Sequence, residues 1–155
     1  MNSESSDSEL RAGEVAVELP AAIDAGVYFI GTIHTPWYER SECPKRGGHD
    51  GPVCSIVVDA RWRAALTDIA QHKLIQVLYW MHRARRDVVL QTPFRTSQTT
   101  GTFALRSPVR PNPIASSVVE LLGVEDTTLR VRGLDCLDGT PLIDLKPERT
   151  SHYLP

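Results

Sequence analysis

The segment from Pro108 to Pro113 most constrains the fold, because it holds three prolines and an asparagine within six residues. Proline fixes its own φ, removes a backbone donor and restricts the residue before it. A segment this rich in proline fits neither the interior of a helix nor a central strand. The sequence therefore predicts a stiff loop of defined shape between two regular elements.

Two arginines, Arg106 and Arg110, lie in or beside this proline-rich loop. A guanidinium group presents a planar fork of donors that suits a carboxylate or a phosphate. The pattern is consistent with a pre-formed site for an anionic ligand. It is equally consistent with a rigid turn that carries surface arginines, and the residues alone leave both interpretations open.

Strand-like runs recur along the chain and are separated by turn-forming residues, which is typical of a β-sandwich or a β-barrel. The only convincing helical stretch is 60–71, about three turns long, and no Gly-x-Gly-x-x-Gly follows a strand. These features predict a mainly β domain and disfavour the doubly wound fold of common methyltransferases. The predicted strands are 26–34, 53–59, 73–82, 101–106, 114–124, 128–134 and 141–145.

The length of 155 residues indicates a single folded domain. Residues 1–25 are rich in acids and include a Ser-rich start, so we expect a disordered or flexible arm there, with 26–155 as the folded domain. Residues 14–19 form either a short strand or part of that arm. The region 61–110 holds nine bases and two acids, which favours an RNA partner or reflects only a solvated basic surface.

Cysteine usage and hydropathy limit the classes of protein to which this chain can belong. The three cysteines, Cys43, Cys54 and Cys136, are widely spaced and form no C-x-x-C pair. We therefore expect reduced thiols in a cytoplasmic protein and no metal site. No apolar run is long enough for a bilayer, and no secretory leader is recognisable, so we expect no membrane association.

The run GTFALRSPVRPNPI at 101–114 resembles the hallmark of the TsaA/TrmO-like family of methyltransferases. The resemblance extends over about 26–147. It implies a small β-barrel that uses S-adenosylmethionine, as a homodimer with the cofactor near the interface. Better-known members methylate a modified adenosine, of the threonylcarbamoyladenosine type, beside the anticodon of certain tRNAs. The resemblance therefore implies an S-adenosylmethionine-dependent tRNA N-methyltransferase.

The resemblance carries cofactor-binding roles onto four short segments of this chain. Arg46 stands where the family has glutamine, Ala115 where it usually has glycine, and 73–76 where it often has Ser-His-x-Trp. Asp138-Gly139 lies between apolar runs and predicts a hairpin turn on its own account. The implied cofactor-binding residues are Pro44, Lys45, Arg46, His82, Arg83, Arg106, Ser116, Asp138, Gly139, Thr140 and Pro141.

Substrate contacts and proton transfer are less well defined. Tyr79 or Trp80 is placed either to stack on a base or to fill the core. A weakly nucleophilic acceptor nitrogen needs a general base, and the candidates are His82, Asp138 and Asp144. Candidates for contact with substrate or phosphate are Arg85, Arg86, Arg110, Asn112 and Lys146.

The resemblance fails after Pro147, where the family usually continues with Tyr-x-Pro and a nearby Asp-Ser, and this chain does not. The cofactor half of the family pattern is retained, and the substrate half is altered. Two alternatives therefore stay open. One is a barrel that binds S-adenosylmethionine or RNA without turnover, and the other is a methyltransferase for a small molecule.

Overall fold

A computed structural model describes residues 9–149 of the chain. Within that range the chain forms nine strands and short 3-10 helices, so the predicted mainly β class is confirmed. The predicted disorder of residues 1–8 lies outside the described residues. The strands are β1 (Val15–Ala16), β2 (Gly31–His34), β3 (Val53–Val58), β4 (Leu74–Trp80), β5 (Val88–Gln91), β6 (Thr100–Gly101), β7 (Ile114–Glu125), β8 (Thr128–Arg132) and β9 (Thr140–Pro147).

Six strands close a barrel in the order β2-β3-β8-β7-β4-β9, which confirms the predicted barrel. Side chains alternate along these strands, so every second residue points inward. Closure also leaves these strands without an unpaired edge. The interior consists mainly of branched aliphatic side chains, including Ile33, Ile56, Ile75, Val77, Leu129, Val131 and Leu142, each fully excluded from solvent.

The remaining strands form a second, three-stranded sheet in the order β1-β5-β6. Val15 pairs with Leu90, and Leu90 pairs with Gly101. This sheet belongs to a smaller compact unit made of residues up to 26 together with 81–114, whereas the barrel unit comprises 27–80 and the chain from 115 onward. The division predicted from the sequence, with an arm at 1–25 and a folded domain at 26–155, stays a prediction.

The predicted helix at 60–71 is not an α-helix. It consists of two 3-10 helices, Ala60–Leu66 and Ile69–Gln71, separated by Asp68 with a φ of 66°. None of the residues in either helix is buried. Without an apolar face to dock, the segment lacks the tertiary packing that supports most protein helices, and tight 3-10 turns suffice as a connection.

The predicted strand at 101–106 is also wrong over most of its length. Only Thr100–Gly101 is in β6, and Thr102–Ala104 forms a 3-10 turn. The buried Thr102 hydroxyl donates to the carbonyl of Val88 at 2.8 Å, which favours a turn in place of a continued strand. The four-residue strand β5 was missed because so short a run carries little periodic signal.

Candidate functional site

The turn at Asp138-Gly139 leads directly into β9 and has the backbone conformation that its sequence predicts. Gly139 has a φ of +77°, a value that few residues other than glycine adopt. The N–H of Thr140 donates to the carbonyl of Leu137 at 3.3 Å and closes the turn. The predicted hairpin is wrong, because β9 pairs with β2 and β4 and not with the preceding strand β8.

Four polar contacts attach this turn to β2 and the loop that follows it. The N–H of Asp138 donates to the carbonyl of Trp37 at 2.7 Å, and the N–H of Gly139 donates to the carbonyl of Ile33 at 2.9 Å. In return, the Asp138 carboxylate accepts the N–H of Thr35 at 3.1 Å. The imidazole of His34 lies 3.2 Å from the same carboxylate oxygen. These contacts hold the turn rigidly against β2 and the loop after it. We call residues 138–141 the 138–141 corner.

Two buried hydroxyl groups also stabilise the 138–141 corner by hydrogen bonds. The hydroxyl of Thr35 donates to the carbonyl of Cys136 at 2.8 Å, and that of Thr140 donates to the carbonyl of Leu137 at 2.6 Å. Burial raises the pKa of the Cys136 thiol to about 12. This thiol is therefore a structural group and not a reactive nucleophile at neutral pH.

Tyr79 is a core residue and not a stacking surface. Its side chain is only 2% exposed. Its hydroxyl donates to Asp135 at 2.8 Å and lies 2.8 Å from the Ser117 hydroxyl, which must then donate to it. Burial, assisted by the Asp135 carboxylate, raises the pKa of Tyr79 well above its usual range. Trp80 is half-buried, with its ring 6.2 Å from that of Phe29.

The loop that carries Pro44, Lys45 and Arg46 is fixed at both sides of these residues. Upstream, the carboxylate of Glu42 accepts two backbone N–H groups, at 2.9 and 3.0 Å, which lower its pKa. Downstream, Gly47 packs so closely that an added Cβ would lie 1.6 Å from the carbonyl oxygen of Gly133. The side chains of Lys45 and Arg46 are exposed.

The other predicted site residues on the barrel lie on its strands. Ser116 is on β7, and its hydroxyl accepts a hydrogen bond from Gln76 at 2.9 Å. Asp144 and Lys146 are on β9 and form an ion pair at 2.8 Å. Asp144 also accepts the N–H of Leu145 at 2.9 Å. Both members of the ion pair are partly exposed, so solvent screens the attraction between them.

The smaller unit carries the remaining predicted residues. His82 and Arg83 are exposed in the turn after β4, and the N–H of Met81 just before them donates to the carbonyl of Pro113 at 2.8 Å. Arg106 lies at the start of the proline-rich loop. The predicted residues in this unit are His82, Arg83, Arg85, Arg86, Arg106, Arg110 and Asn112.

Three of the arginines predicted to contact substrate have partners within the smaller unit. Arg85 forms a two-point ion pair with Asp87, at 3.0 and 2.8 Å. Arg86 donates from Nε to the carbonyl of Pro111 at 2.6 Å. Arg110 donates from Nη1 to two carbonyls of its own loop, each at 3.2 Å. Sequence reasoning foresaw the positive charges but not these carbonyl acceptors.

The described residues 9–149 hold no group of three or more His, Cys, Asp or Glu side chains placed to bind a metal ion. Over the same range no helix is long and apolar enough to cross a membrane.

The closed β-barrel, the 138–141 corner and the proline-rich loop with its arginines are the features that we compare with known proteins. The sequence model of the tRNA-methyltransferase O N-terminal domain matches residues 32–151. The chain belongs to this family.

Relatives and solved structures agree with that assignment. A protein of Rhizobium radiobacter named "Probable S-adenosyl-L-methionine-binding protein VirR" is 46% identical over 92% of this chain and 82% of its own length. The tRNA (adenine(37)-N6)-methyltransferase of Escherichia coli is 30% identical over 81% of this chain and 56% of its own length. The crystal structure of TrmO from Pseudomonas aeruginosa superposes with a TM-score of 0.70 and 28% identity over 86% of this chain and 60% of that one.

Proposed function

We propose that this protein transfers a methyl group from S-adenosylmethionine to a nitrogen of a modified adenosine, of the threonylcarbamoyladenosine type, in tRNA. The family match over 32–151 and the name of the Escherichia coli relative support the reaction. The observation that carries the proposal is the 138–141 corner. There the family's Asp-Gly-Thr-Pro motif is held rigid by hydrogen bonds from two directions.

The donor groups of the chain fit the chemistry of this cofactor. S-adenosylmethionine carries a carboxylate, an ammonium group, an adenosine and, on its sulfonium, an electrophilic methyl group. We assign the guanidinium of Arg106 to the carboxylate, because its planar fork suits that group. We assign the backbone polar groups of the 138–141 corner to the adenosine half. The other proposed contacts are Pro44, Lys45, Arg46, His82, Arg83 and Ser116.

Methyl transfer would join the acceptor nitrogen to the methyl carbon while the bond from that carbon to the sulfonium sulfur breaks, which would release S-adenosylhomocysteine. The proton of the acceptor nitrogen would pass to a base. Of the candidates, Asp138 is occupied by the N–H of Thr35 and by His34. Asp144 is paired with Lys146. His82 is an exposed imidazole on the turn after β4. We therefore favour His82 as the proton acceptor, and we assign Asp138 to the shape of the corner.

We further propose that the protein is a cytoplasmic homodimer with the cofactor near the interface. This proposal rests on the family resemblance, and the chain also exposes large aromatic side chains. Tyr28 is 79% exposed and Phe103 is 81% exposed. Sedimentation velocity tests the dimer, and a monomer at micromolar concentration would contradict it.

Binding of S-adenosylmethionine without turnover is the second candidate function. The Rhizobium radiobacter relative supports it, because that protein is 46% identical and is named for binding alone. The altered residues after Pro147 also favour it, since they replace part of the family pattern.

One experiment separates these functions. Purified protein is incubated with methyl-labelled S-adenosylmethionine and with tRNA from cells that lack this protein, and the nucleosides are then resolved by mass spectrometry. A labelled adenosine derivative supports the methyltransferase. Calorimetric binding of the cofactor without label in tRNA supports the passive binder, unless a small metabolite is labelled in its place. The absence of cofactor binding contradicts all of these functions.

A further inference from the structure

Alternate carbonyl groups along the proline-rich loop each accept a hydrogen bond within the smaller unit. The acceptors are the carbonyls of residues 105, 107, 109, 111 and 113. The donors, in the same order, are Arg110 Nη1 for the first two at 3.2 Å each, Gln91 Nε2 at 2.6 Å, Arg86 Nε at 2.6 Å and the Met81 N–H at 2.8 Å.

This pattern follows from the sequence of the loop. The loop bends at residues 105, 108 and 110–112 and is not an extended strand. In a sheet, backbone N–H groups of a neighbouring strand would satisfy such carbonyls. Because Pro108, Pro111 and Pro113 lack an N–H, the loop cannot take part in a regular ladder. Side-chain donors replace the neighbouring strand for four of the five acceptors.

Gln91 is the most informative of these donors, because it is uncharged and only 7% exposed. Its amide nitrogen donates to the carbonyl of Val109 at 2.6 Å and to the hydroxyl of Thr102 at 2.8 Å. That hydroxyl in turn donates to the carbonyl of Val88 on β5. Both amide hydrogens therefore have acceptors, and the chain of hydrogen bonds connects the loop to the smaller sheet.

Arg86 and Arg110 act on the same loop from two other directions. Arg86 donates to the carbonyl of Pro111 and, at 3.4 Å, to the side-chain oxygen of Asn112. Arg110 folds back onto the carbonyls of Leu105 and Ser107, which flank Arg106. The backbone on either side of Arg106 is thereby held by one guanidinium group.

We propose that Gln91, Arg86 and Arg110 are positioning residues that pre-form the 105–113 loop and so fix the backbone from which Arg106 binds the cofactor carboxylate. The inference rests on the proposed function, since it assigns that carboxylate to Arg106. A loop ordered before binding loses less conformational entropy on binding, which raises affinity. Arg86 and Arg110 then contribute through the shape of the loop and not through contact with RNA phosphates.

The first test replaces Gln91 with leucine, which removes both donors without changing charge. Amide hydrogen exchange is measured without cofactor, with the N–H of Arg110 as reporter, because it donates to the carbonyl of Arg85 at 3.1 Å. We expect exchange in 105–112 to accelerate roughly tenfold and the affinity for S-adenosylmethionine to fall roughly tenfold.

Val88→Ala is the matched control. Val88 is on the same strand and is 2% exposed, so its truncation destabilises the smaller unit without removing a donor to the loop. Affinity in this variant should stay within about twofold of the parent at a temperature where both are folded. If the control loses as much affinity as Gln91→Leu, the effect is general destabilisation and the proposal is overturned.

A second variant, Arg86→Lys, keeps the positive charge but loses the Nε donor. We expect weaker cofactor binding and faster exchange in 105–112, with an unchanged salt dependence of tRNA binding. Unchanged exchange in both variants overturns the proposal, as does faster exchange with unchanged affinity. If Gln91→Leu does not fold, Arg86→Lys decides alone. If the parent protein binds no S-adenosylmethionine, the proposed function fails, while the exchange data still decide whether these donors hold the loop.

Discussion

The carboxylate of Asp138 accepts the backbone N–H of Thr35 at 3.1 Å, across 103 residues of sequence. This contact joins the turn before β9 to the loop after β2, and two backbone hydrogen bonds beside it have the same effect. Asp138 is therefore first a structural residue, whatever it also does for a bound ligand. Its partners in the corner decide how its substitution should be interpreted.

Asp138→Ala should lower the free energy of unfolding by about 1–3 kcal/mol, because it leaves the Thr35 N–H without its side-chain acceptor. Asp138→Asn keeps an amide oxygen for that N–H and should retain most of the stability. Urea unfolding followed by fluorescence measures both variants. If the asparagine variant folds and binds the cofactor normally but loses methyl transfer, Asp138 is the base and our assignment of it to shape is wrong.

Gly47→Ala should destabilise the barrel unit, because the new Cβ would overlap the carbonyl oxygen of Gly133 at 1.6 Å. The neighbour is backbone, so the loop after Arg46 must move, at a cost of about 1–3 kcal/mol. Thermal unfolding measures this loss, and cofactor affinity should fall with it if Lys45 and Arg46 take part in binding.

Gly123→Ala is the comparison for this variant. Apart from its own chain neighbours, no atom lies within 4 Å of a Cβ added at Gly123, and alanine costs less backbone entropy than glycine in a strand. Its stability should equal or slightly exceed that of the parent. Equal stability of Gly47→Ala and the parent would show that the loop tolerates the displacement, and the loop would then not be fixed there.

The strand-like runs of the sequence predicted a sandwich or a barrel, as in β4, where Ile75, Val77 and Tyr79 point inward. The family resemblance favoured the barrel. The sequence also predicted a turn at Asp138-Gly139, where Gly139 adopts the positive φ that glycine tolerates. Strand propensity and turn conformation both depend on residues close in sequence. They need no knowledge of distant partners.

The sequence could not predict contacts between segments that lie far apart along the chain. Nothing local indicates that Gln91 donates to Val109 or that Gly47 packs against Gly133. The 3-10 form of the helical stretch predicted at 60–71 was not foreseen for the same reason, since the form depends on whether another element covers one of its faces. The charge of Arg110 is visible in the sequence and predicts contact with an anionic ligand, whereas its two carbonyl acceptors depend on how the loop folds.

Arg106→Ala should weaken S-adenosylmethionine binding roughly ten- to hundredfold if its guanidinium binds the carboxylate, because charged hydrogen bonds are among the stronger ones. Isothermal titration calorimetry measures the loss. Arg95→Ala is the control, since Arg95 is an exposed arginine of the same unit outside the proposed site. Equal affinity of the Arg106 variant and the control would remove Arg106 from the cofactor site.

The protein should lose stability at alkaline pH through buried groups whose pKa burial raises, among them Cys136 and Tyr79. Burial raises the pKa of Cys136 from 9.0 to about 12 and raises that of Tyr79 above its ordinary value of 10.0. Each of these two groups therefore releases its proton at a lower pH in the unfolded chain than in the folded protein. The stabilisation from Cys136 is therefore complete below pH 9.0 and is lost as the pH rises towards about 12.

Tyr79→Phe tests this account, because it removes one titrating hydroxyl while keeping the ring in the barrel. The variant loses the hydrogen bond to Asp135 and should be less stable than the parent at neutral pH by about 1–3 kcal/mol. Its unfolding free energy should then fall less steeply as the pH rises above 10.0, the ordinary pKa of tyrosine. Urea unfolding at several alkaline pH values gives the pH dependence of the unfolding free energy for the parent and for the variant. Parallel slopes would mean that Tyr79 ionises as readily in the folded barrel as in the unfolded chain, which its 2% exposure and the adjacent carboxylate oppose.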